Sequence, residues 1–135
     1  MSAQIPIDAF FAALNQHDLE TLGRLLAPDF VFEEVAAPGE PSVRALADEM
    51  RLIYAGLPDI AFRPVRRVTD DGKTIVEFRA IGTHDAPFLA VPATGTTAIV
   101  SGVFAFEGSK RIERIRLTVD FGGLRRQLLT ASGRR

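Results

Sequence analysis

The chain has 135 residues, of which 47% are hydrophobic, and it carries 16 basic and 17 acidic side chains. This length suits one domain with a single core, because two domains of half the size would each bury too little surface. The balanced charge creates no overall field that would attract a phosphate backbone or an anionic membrane. We therefore expect neither a nucleic-acid partner nor a membrane partner.

The absence of cysteine excludes disulfides, a thiolate nucleophile and cysteine metal ligands. The N-terminus lacks a basic segment followed by an apolar run, and no stretch approaches about eighteen uninterrupted apolar residues. The sequence thus predicts neither an export signal nor a membrane span, and a cytoplasmic location is expected.

Three helices are predicted in the N-terminal part, where apolar residues recur at intervals of three and four. The first helix is expected to end near residues 15–17. Asp18 is predicted to cap the second helix, which Pro28 would end. Ser42 is predicted to cap the third helix, which Pro58 would end. The apolar stripes are Ile7, Phe10, Phe11 and Leu14; Leu19, Leu22, Leu25 and Leu26; and Val43, Leu46, Met50, Ile53 and Leu57.

Extended runs of β-branched and aromatic residues dominate the second half of the chain and predict antiparallel strands. Asp70-Asp71-Gly72 has the composition of a hairpin turn. A short amphipathic turn is predicted over 124–129, and residues 130–135 are expected to form a flexible tail. The predicted strands cover residues 30–35, 60–69, 74–84, 96–107 and 111–121.

The order of these elements, helices first and strands last, is typical of an α+β domain. Strands of about ten residues accumulate twist, so the sheet is expected to coil around its helices. We predict a single domain over residues 1–135. It is a cone-shaped α+β barrel in which three N-terminal helices pack on a strongly curved, mostly antiparallel sheet that encloses one pocket.

Asp120, which ends the last predicted strand among apolar residues, is the main candidate for chemistry. Strand alternation puts it on the face of Arg116 and Thr118, opposite Val119. If this face lines a dry pocket, desolvation would favour the protonated carboxyl group, which could serve as a general acid or base. The alternative is a structural aspartate that caps the turn at 122–123, and spacing alone favours this alternative.

Other polar residues give weaker signals. His84, next to Asp85, could share a proton at a pocket rim, but the local residues favour the alternative, a surface turn with local hydrogen bonds. Glu33 and Glu34 are adjacent in a strand, so at most one of them can line the pocket. No metal site is predicted, because His17 and His84 have no ligand partners at a suitable spacing. No serine lies in a nucleophile turn.

Several strings share the pattern of one known family. They are residues 10–19 leading to 26–30, residues 82–84 followed by 87–88, residues 91–95, and residues 112–113 leading to Asp120, Leu124 and 127–128. With the order of elements, they resemble the SnoaL-like polyketide cyclase or ester cyclase family. This family lies within the nuclear transport factor 2 / ketosteroid isomerase superfamily, and the resemblance covers nearly the whole chain.

The resemblance implies that Asp120 is the general acid/base of an intramolecular aldol ring closure that uses neither a metal nor an organic cofactor. It also implies that His84 lies beside the pocket as a second catalytic residue and that Phe88 forms a wall. The predicted substrate-binding residues are Phe10, Leu14, Phe30, Tyr54, Phe88, Phe104, Arg116 and Thr118.

The chain also departs from the family pattern. Ala86 and Ala90 stand where the family often has glycine, Arg116 stands where an aromatic residue is common, and tryptophan is absent. A substrate other than the familiar aromatic polyketides is therefore expected. If Arg116 faces inward beside Asp120, it would favour the ionised carboxylate.

The predicted function is proton transfer on a small apolar or carbonyl-containing molecule, catalysed without a cofactor in the manner of a cyclase, isomerase or lyase. One alternative is a non-catalytic binding module for an apolar metabolite, and another is an interaction protein that uses the outer face of its sheet. The superfamily's common homodimers imply a homodimer formed through the sheet. The Asp-Arg-Asp arrangement of epoxide hydrolases and the pocket tyrosine of steroid isomerases are not evident.

Overall fold

The computed structural model describes residues 4–35 and 42–133, and in this part the chain forms four helices and six strands. The helices are α1 (Ile7–Asn15), α2 (Leu19–Arg24), α3 (Leu46–Gly56) and α4 (Phe121–Ala131). The strands are β1 (Leu26–Val35), β2 (Ser42–Arg44), β3 (Ala61–Asp70), β4 (Lys73–Thr83), β5 (Thr97–Gly108) and β6 (Ile112–Val119).

The strands form one sheet in the order β2-β1-β6-β5-β4-β3. The β1–β6 pair is parallel and the other pairs are antiparallel. The outermost strands β2 and β3 do not pair with each other, so the sheet is curled but not closed. The predicted α+β fold, with helices on a strongly curved and mostly antiparallel sheet, is confirmed.

Helix α1 fills the inside of the curled sheet with aromatic rings. Phe10 is fully buried, and its ring meets Phe104 edge-on at 5.4 Å and Phe106 at 5.1 Å between centroids. Burial of each such ring contributes about 2–3 kcal/mol. Asn15 ties the end of α1 to β3, because its side-chain amide donates to the Phe62 carbonyl at 2.9 Å and accepts from the Phe62 amide at 2.6 Å.

The second helix is shorter than predicted. Asp18 caps it as expected and accepts a hydrogen bond from the Thr21 amide at 3.1 Å. The helix nevertheless ends at Arg24 and not at Pro28, and β1 begins at Leu26. Leu26 pairs with Ile112 of β6, so strand pairing across the sheet overrides the helical spacing of the leucines.

The third helix also begins later than predicted. Its N-cap is Ala45, which makes no side-chain cap bond, so the assignment of Ser42 as the cap is wrong. Ser42 instead belongs to β2 and pairs with Glu34 of β1. Val43 is 74% exposed and is not part of the helix stripe, whereas Met50 in the same stripe is fully buried.

The hairpin turn is confirmed, whereas the predicted C-terminal turn and tail need correction. Asp71 and Gly72 have φ values of 40° and 76°, the left-handed pair of a tight hairpin turn, as the sequence predicted. Helix α4 is longer than the predicted turn and includes residues 130–131 of the expected tail, while residues 134–135 lie outside the described residues. No helix in the described part is long and apolar enough to span a membrane.

Candidate functional site

A cavity of about 470 Å³ lies between the end of β1, helix α3, the segment 85–96 and the start of α4. We call it the outer chamber. Its walls are mostly apolar, but two carboxyl groups face it. The lining residues are Glu34, Glu49, Leu52, Ile53, Ala55, Pro87, Phe88, Leu89, Ala90 and Phe121.

Glu34 reaches this chamber because of its register in the sheet. It pairs with Leu117, an inward-facing residue of β6, and it is 6% exposed. The adjacent Glu33 pairs with Arg116 and lies on the outer face. There it accepts hydrogen bonds from Arg114 and, at 3.4 Å, from Arg116. One member of the acidic pair therefore faces inward, in accordance with strand alternation.

Glu49 lies in the first turn of α3 and is also 6% exposed. Its Oε2 atom is buried and has no hydrogen-bond partner in the described part of the chain. A buried carboxyl oxygen without a partner is costly and calls for an explanation, such as a role in binding or catalysis. Glu49 is thus a titratable group held in an apolar setting and facing a cavity large enough for a small molecule.

Deeper in the curled sheet is a second cavity of about 20 Å³, the inner chamber, which has room for about one water molecule. It is lined by apolar residues only, so it is expected to be dry. The interior is therefore nearly filled by side chains. The lining residues are Ile53, Leu57, Ile60, Phe62, Phe78, Phe88, Val100, Leu117, Val119, Phe121 and Leu124.

Asp120 does not face either chamber, so its predicted inward orientation is wrong. Its side chain is exposed and accepts a hydrogen bond from the Gly123 amide at 2.8 Å, which makes it the N-cap of α4. The apolar face of β6, which includes Val119, takes the interior instead. Thr118 lies exposed on the outer face, and Arg116 is half exposed there in its ion pair. Neither can contact a ligand in the chambers.

His84 is fully buried but lines neither chamber. Its Nδ1 atom lies 2.9 Å from the Thr94 hydroxyl and accepts a hydrogen bond from the Thr94 amide at 3.3 Å. These bonds hold both ends of the segment between β4 and β5. Its Nε2 atom is buried and has no hydrogen-bond partner in the described residues. The catalytic role of His84 stays a prediction.

Among the other predicted substrate-binding residues, Phe88 lines both chambers. Phe30 is half buried and packs against the main core without lining either chamber. Three more are fully buried members of that core: Phe10, Leu14 and Phe104. These four side chains support the fold rather than the walls of the site.

Tyr54 has a structural setting of its own. Its hydroxyl donates to the Leu14 carbonyl at 2.8 Å, and its ring stacks on His17 with centroids 3.8 Å apart. Burial raises the pKa of Tyr54 to about 12, so the phenol stays neutral near pH 7. Tyr54 joins α3 to α1 and lines neither chamber.

Glu49 and Phe121 are the site residues that the sequence analysis missed. Glu49 carried a readable signal, because it is three residues after Leu46 and four before Ile53, on the buried stripe of α3. A charged residue inside an apolar stripe is a candidate for function. Phe121 gave no such signal. Within residues 4–35 and 42–133, no cluster of three or more potential metal ligands is present.

The fold is shared with solved structures. IdmH of Streptomyces antibioticus, described as "a putative polyketide cyclase", superposes with a TM-score of 0.79 at 26% identity and covers 90% of this chain and 94% of its own. AclR of Streptomyces galilaeus, described as "a putative hydroxylase", gives 0.78 at 18% identity with coverages of 94% and 78%. A "Putative SnoaL-like polyketide cyclase" of Jannaschia sp. CCS1 gives 0.75 at 16% identity with coverages of 90% and 88%.

No curated protein matches this chain in sequence. One protein family does match, over residues 7–114, and it is described as the SnoaL-like domain. The match covers most of the chain and agrees with the curled α+β architecture. The chain therefore belongs to the SnoaL-like domain family, within the nuclear transport factor 2-like superfamily.

Proposed function

We propose that the protein is a cofactor-independent enzyme that transfers a proton on an apolar carbonyl compound bound in the outer chamber, as a cyclase or an isomerase does. The proposal rests on Glu49, whose buried carboxyl group has an unpartnered oxygen and faces a cavity of about 470 Å³ with mostly apolar walls. Membership of the SnoaL-like family supports a fold of the cofactor-free cyclase or isomerase type.

The proposed chemistry is general acid–base catalysis. The Glu49 carboxylate takes a proton from the carbon next to the carbonyl group. Glu49 is only 6% exposed, so its carboxylate is poorly solvated where it faces the chamber. Glu34, the second carboxyl group of the chamber, donates a proton to the carbonyl oxygen as the enol forms. Glu49 then gives its proton to a different carbon of a conjugated enol while Glu34 takes the hydroxyl proton back, which completes an isomerisation and restores both carboxyl groups.

The family resemblance assigned the base to Asp120. Its exposed side chain caps α4 and lines neither chamber, which supports Glu49 instead. The two assignments predict opposite effects of single substitutions, so they can be separated.

The test is exchange of α-protons of small apolar ketones, such as 1-indanone, for deuterium in D₂O, followed by NMR. The wild type should accelerate exchange, and Glu49→Gln should lose about 10²-fold or more of that acceleration, the usual contribution of a general base. Asp120→Asn should retain it. Asp48→Asn is the matched control, because Asp48 precedes Glu49 on α3 but is 74% exposed in its side chain. Unchanged exchange in Glu49→Gln would refute the assignment.

A non-catalytic binding module is the second candidate, and the wholly apolar lining of the inner chamber supports it. In that case ketones would bind to the wild type without accelerated exchange. Glu49→Gln would then alter affinity alone.

We also propose that the protein forms a homodimer through the outer face of the sheet. This face carries exposed apolar side chains that a second copy would cover. Ile75→Glu, near the start of β4, should shift the protein toward the monomer in sedimentation experiments. The cytoplasmic location stays a prediction. The exposed apolar residues of this face are Val65, Val68, Ile75, Ile81 and Ile99.

A further inference from the structure

The outer and inner chambers are separated by side chains that belong to both. Ile53, Phe88 and Phe121 line the two cavities alike. Phe88 and Phe121 also pack against both apolar clusters of the fold, the main core and a smaller cluster beneath α4. The smaller cluster consists of Val91, Ala98, Leu124 and Leu128. These shared walls form the partition between the chambers.

Phe88 is held in the partition by a close approach to α3. A Cβ atom at Gly56 would lie 2.6 Å from three atoms of the Phe88 side chain, so only glycine leaves room for the ring where it is. Phe88 is half buried, and it comes from a segment without helix or extended strand. Its position thus depends on side-chain packing and on the hydrogen bonds of its own turn, and not on a helix or an extended strand.

The turn that carries Phe88 is strained. Phe88 and Val91 exchange two backbone hydrogen bonds of 3.0 Å, and the two residues between them, Leu89 and Ala90, have φ values of 51° and 60°. Left-handed conformations are unfavourable for residues other than glycine, and strained residues often occur in segments that switch position. Arg125 of α4 donates to the Leu89 carbonyl at 3.0 Å and ties the turn down.

We propose that Phe88 is a specificity-determining gate whose movement joins the inner chamber to the outer one. The substrate is then a carbonyl compound with an apolar chain or ring that passes Phe88 into the inner chamber. Placing the carbonyl group beside Glu49 rests on the function proposed above. Entry of the apolar end depends only on the partition.

Two observations support an apolar end of this kind. The inner chamber has no polar lining side chain, so a polar group entering it would lose its hydrogen bonds. Its present volume of about 20 Å³ is too small for an alkyl chain, so a ligand must displace Phe88 to enter. A chain that does enter should gain about fourfold in affinity for each methylene group buried.

The experiment measures dissociation constants for linear methyl ketones from four to twelve carbons by calorimetry. In the wild type, affinity should rise about fourfold per methylene until the inner chamber is full. Val119→Phe replaces an isopropyl group by a phenyl ring that occupies the inner chamber but not the outer one. The rise in affinity with chain length should therefore stop several methylene groups earlier than in the wild type. Val43→Phe, the same change at a position on β2 that is 74% exposed and lines neither chamber, should leave the series unchanged.

Phe88→Ala provides a second test in case Val119→Phe does not fold. Removing the ring should raise the affinity of the long ketones relative to that of 2-butanone. The same chain-length dependence in the wild type, Val119→Phe and Phe88→Ala would overturn the gate. If the variants change the chain-length dependence as expected but the wild type does not accelerate α-proton exchange, only the proposed catalysis is overturned. If the wild type accelerates exchange but the variants leave the chain-length dependence unchanged, only the gate is overturned.

Discussion

Replacement of Asp120 separates its structural role from the catalytic role implied by the family resemblance. The carboxylate accepts one hydrogen bond of 2.8 Å, from the Gly123 amide, at the start of the eleven-residue helix α4. Removing an N-cap of this kind typically costs about 1 kcal/mol. Asp120→Ala should therefore lower the free energy of unfolding by this amount, whereas Asp120→Asn keeps a cap acceptor and should be nearly neutral.

The expected shift is measurable by scanning calorimetry at pH 7. For a domain of 135 residues, a loss of about 1 kcal/mol lowers Tm by about 3–4 °C. Asp18→Ala is a comparison variant at a second N-cap, because Asp18 accepts from the Thr21 amide at 3.1 Å at the start of α2. Asp18 also accepts from the Thr21 hydroxyl at 2.6 Å, so Asp18→Ala should cost at least as much stability as Asp120→Ala.

Two results would refute this reasoning. If Asp120→Asn were as destabilised as Asp120→Ala, the acceptor at the helix terminus would not be what stabilises α4. If Asp120→Asn kept the wild-type Tm but lost α-proton exchange, Asp120 would contact the reacting group. The inward orientation implied by the resemblance would then be correct in the ligand-bound protein.

Three further predictions follow from single side chains. Burial raises the pKa of Tyr54 to about 12, so absorbance at 295 nm, which reports this one tyrosine, should titrate near pH 12 in the folded protein. Because this pKa exceeds the unfolded value of about 10, stability should be intact below pH 10 and fall between pH 10 and 12. Ala90→Gly should raise Tm by up to about 3 °C by relieving a left-handed φ of 60°. Gln127→Ala should lower stability in urea by about 1–2 kcal/mol, because two hydrogen bonds to the Ile99 backbone are lost.

Each of these predictions has a contradicting outcome. Titration of Tyr54 near pH 10 without unfolding would show that the phenol is not desolvated. Ala86 supplies the control for Ala90, because its φ is not positive, and Ala86→Gly should not stabilise the protein. Equal stabilisation by both glycines would rule out strain relief at Ala90. Wild-type stability of Gln127→Ala would mean that water replaces both hydrogen bonds at no cost.

Local signals in the sequence were enough for most of the elements. Helix α1 follows from the spacing of its apolar residues, and the hairpin follows from Asp71 and Gly72, because only a few residue types adopt the left-handed turn. The start of β1 was not predictable in this way. Leu26 continues a helical spacing, and only pairing with β6 makes it part of a strand.

At the candidate site, the sequence did not reveal which face of β6 is buried. Alternation along β6 correctly placed Asp120 and Val119 on opposite faces, but the inward face was assigned by resemblance, and that assignment was wrong. The apolar face is buried, because leaving Val119 in water and Asp120 in the core would cost far more than the reverse.

By itself, the sequence determined the α+β class, the family pattern and most of the buried apolar stripe on α3, although Glu49 was overlooked within that stripe. Only the tertiary structure decided that Glu34, Glu49 and Phe88 face one chamber. These residues come from a strand, a helix and a strained turn, and no local pattern relates their positions. Their meeting depends on the register of β1 with β6 and on the contact between Gly56 and Phe88, which form only when the chain is folded.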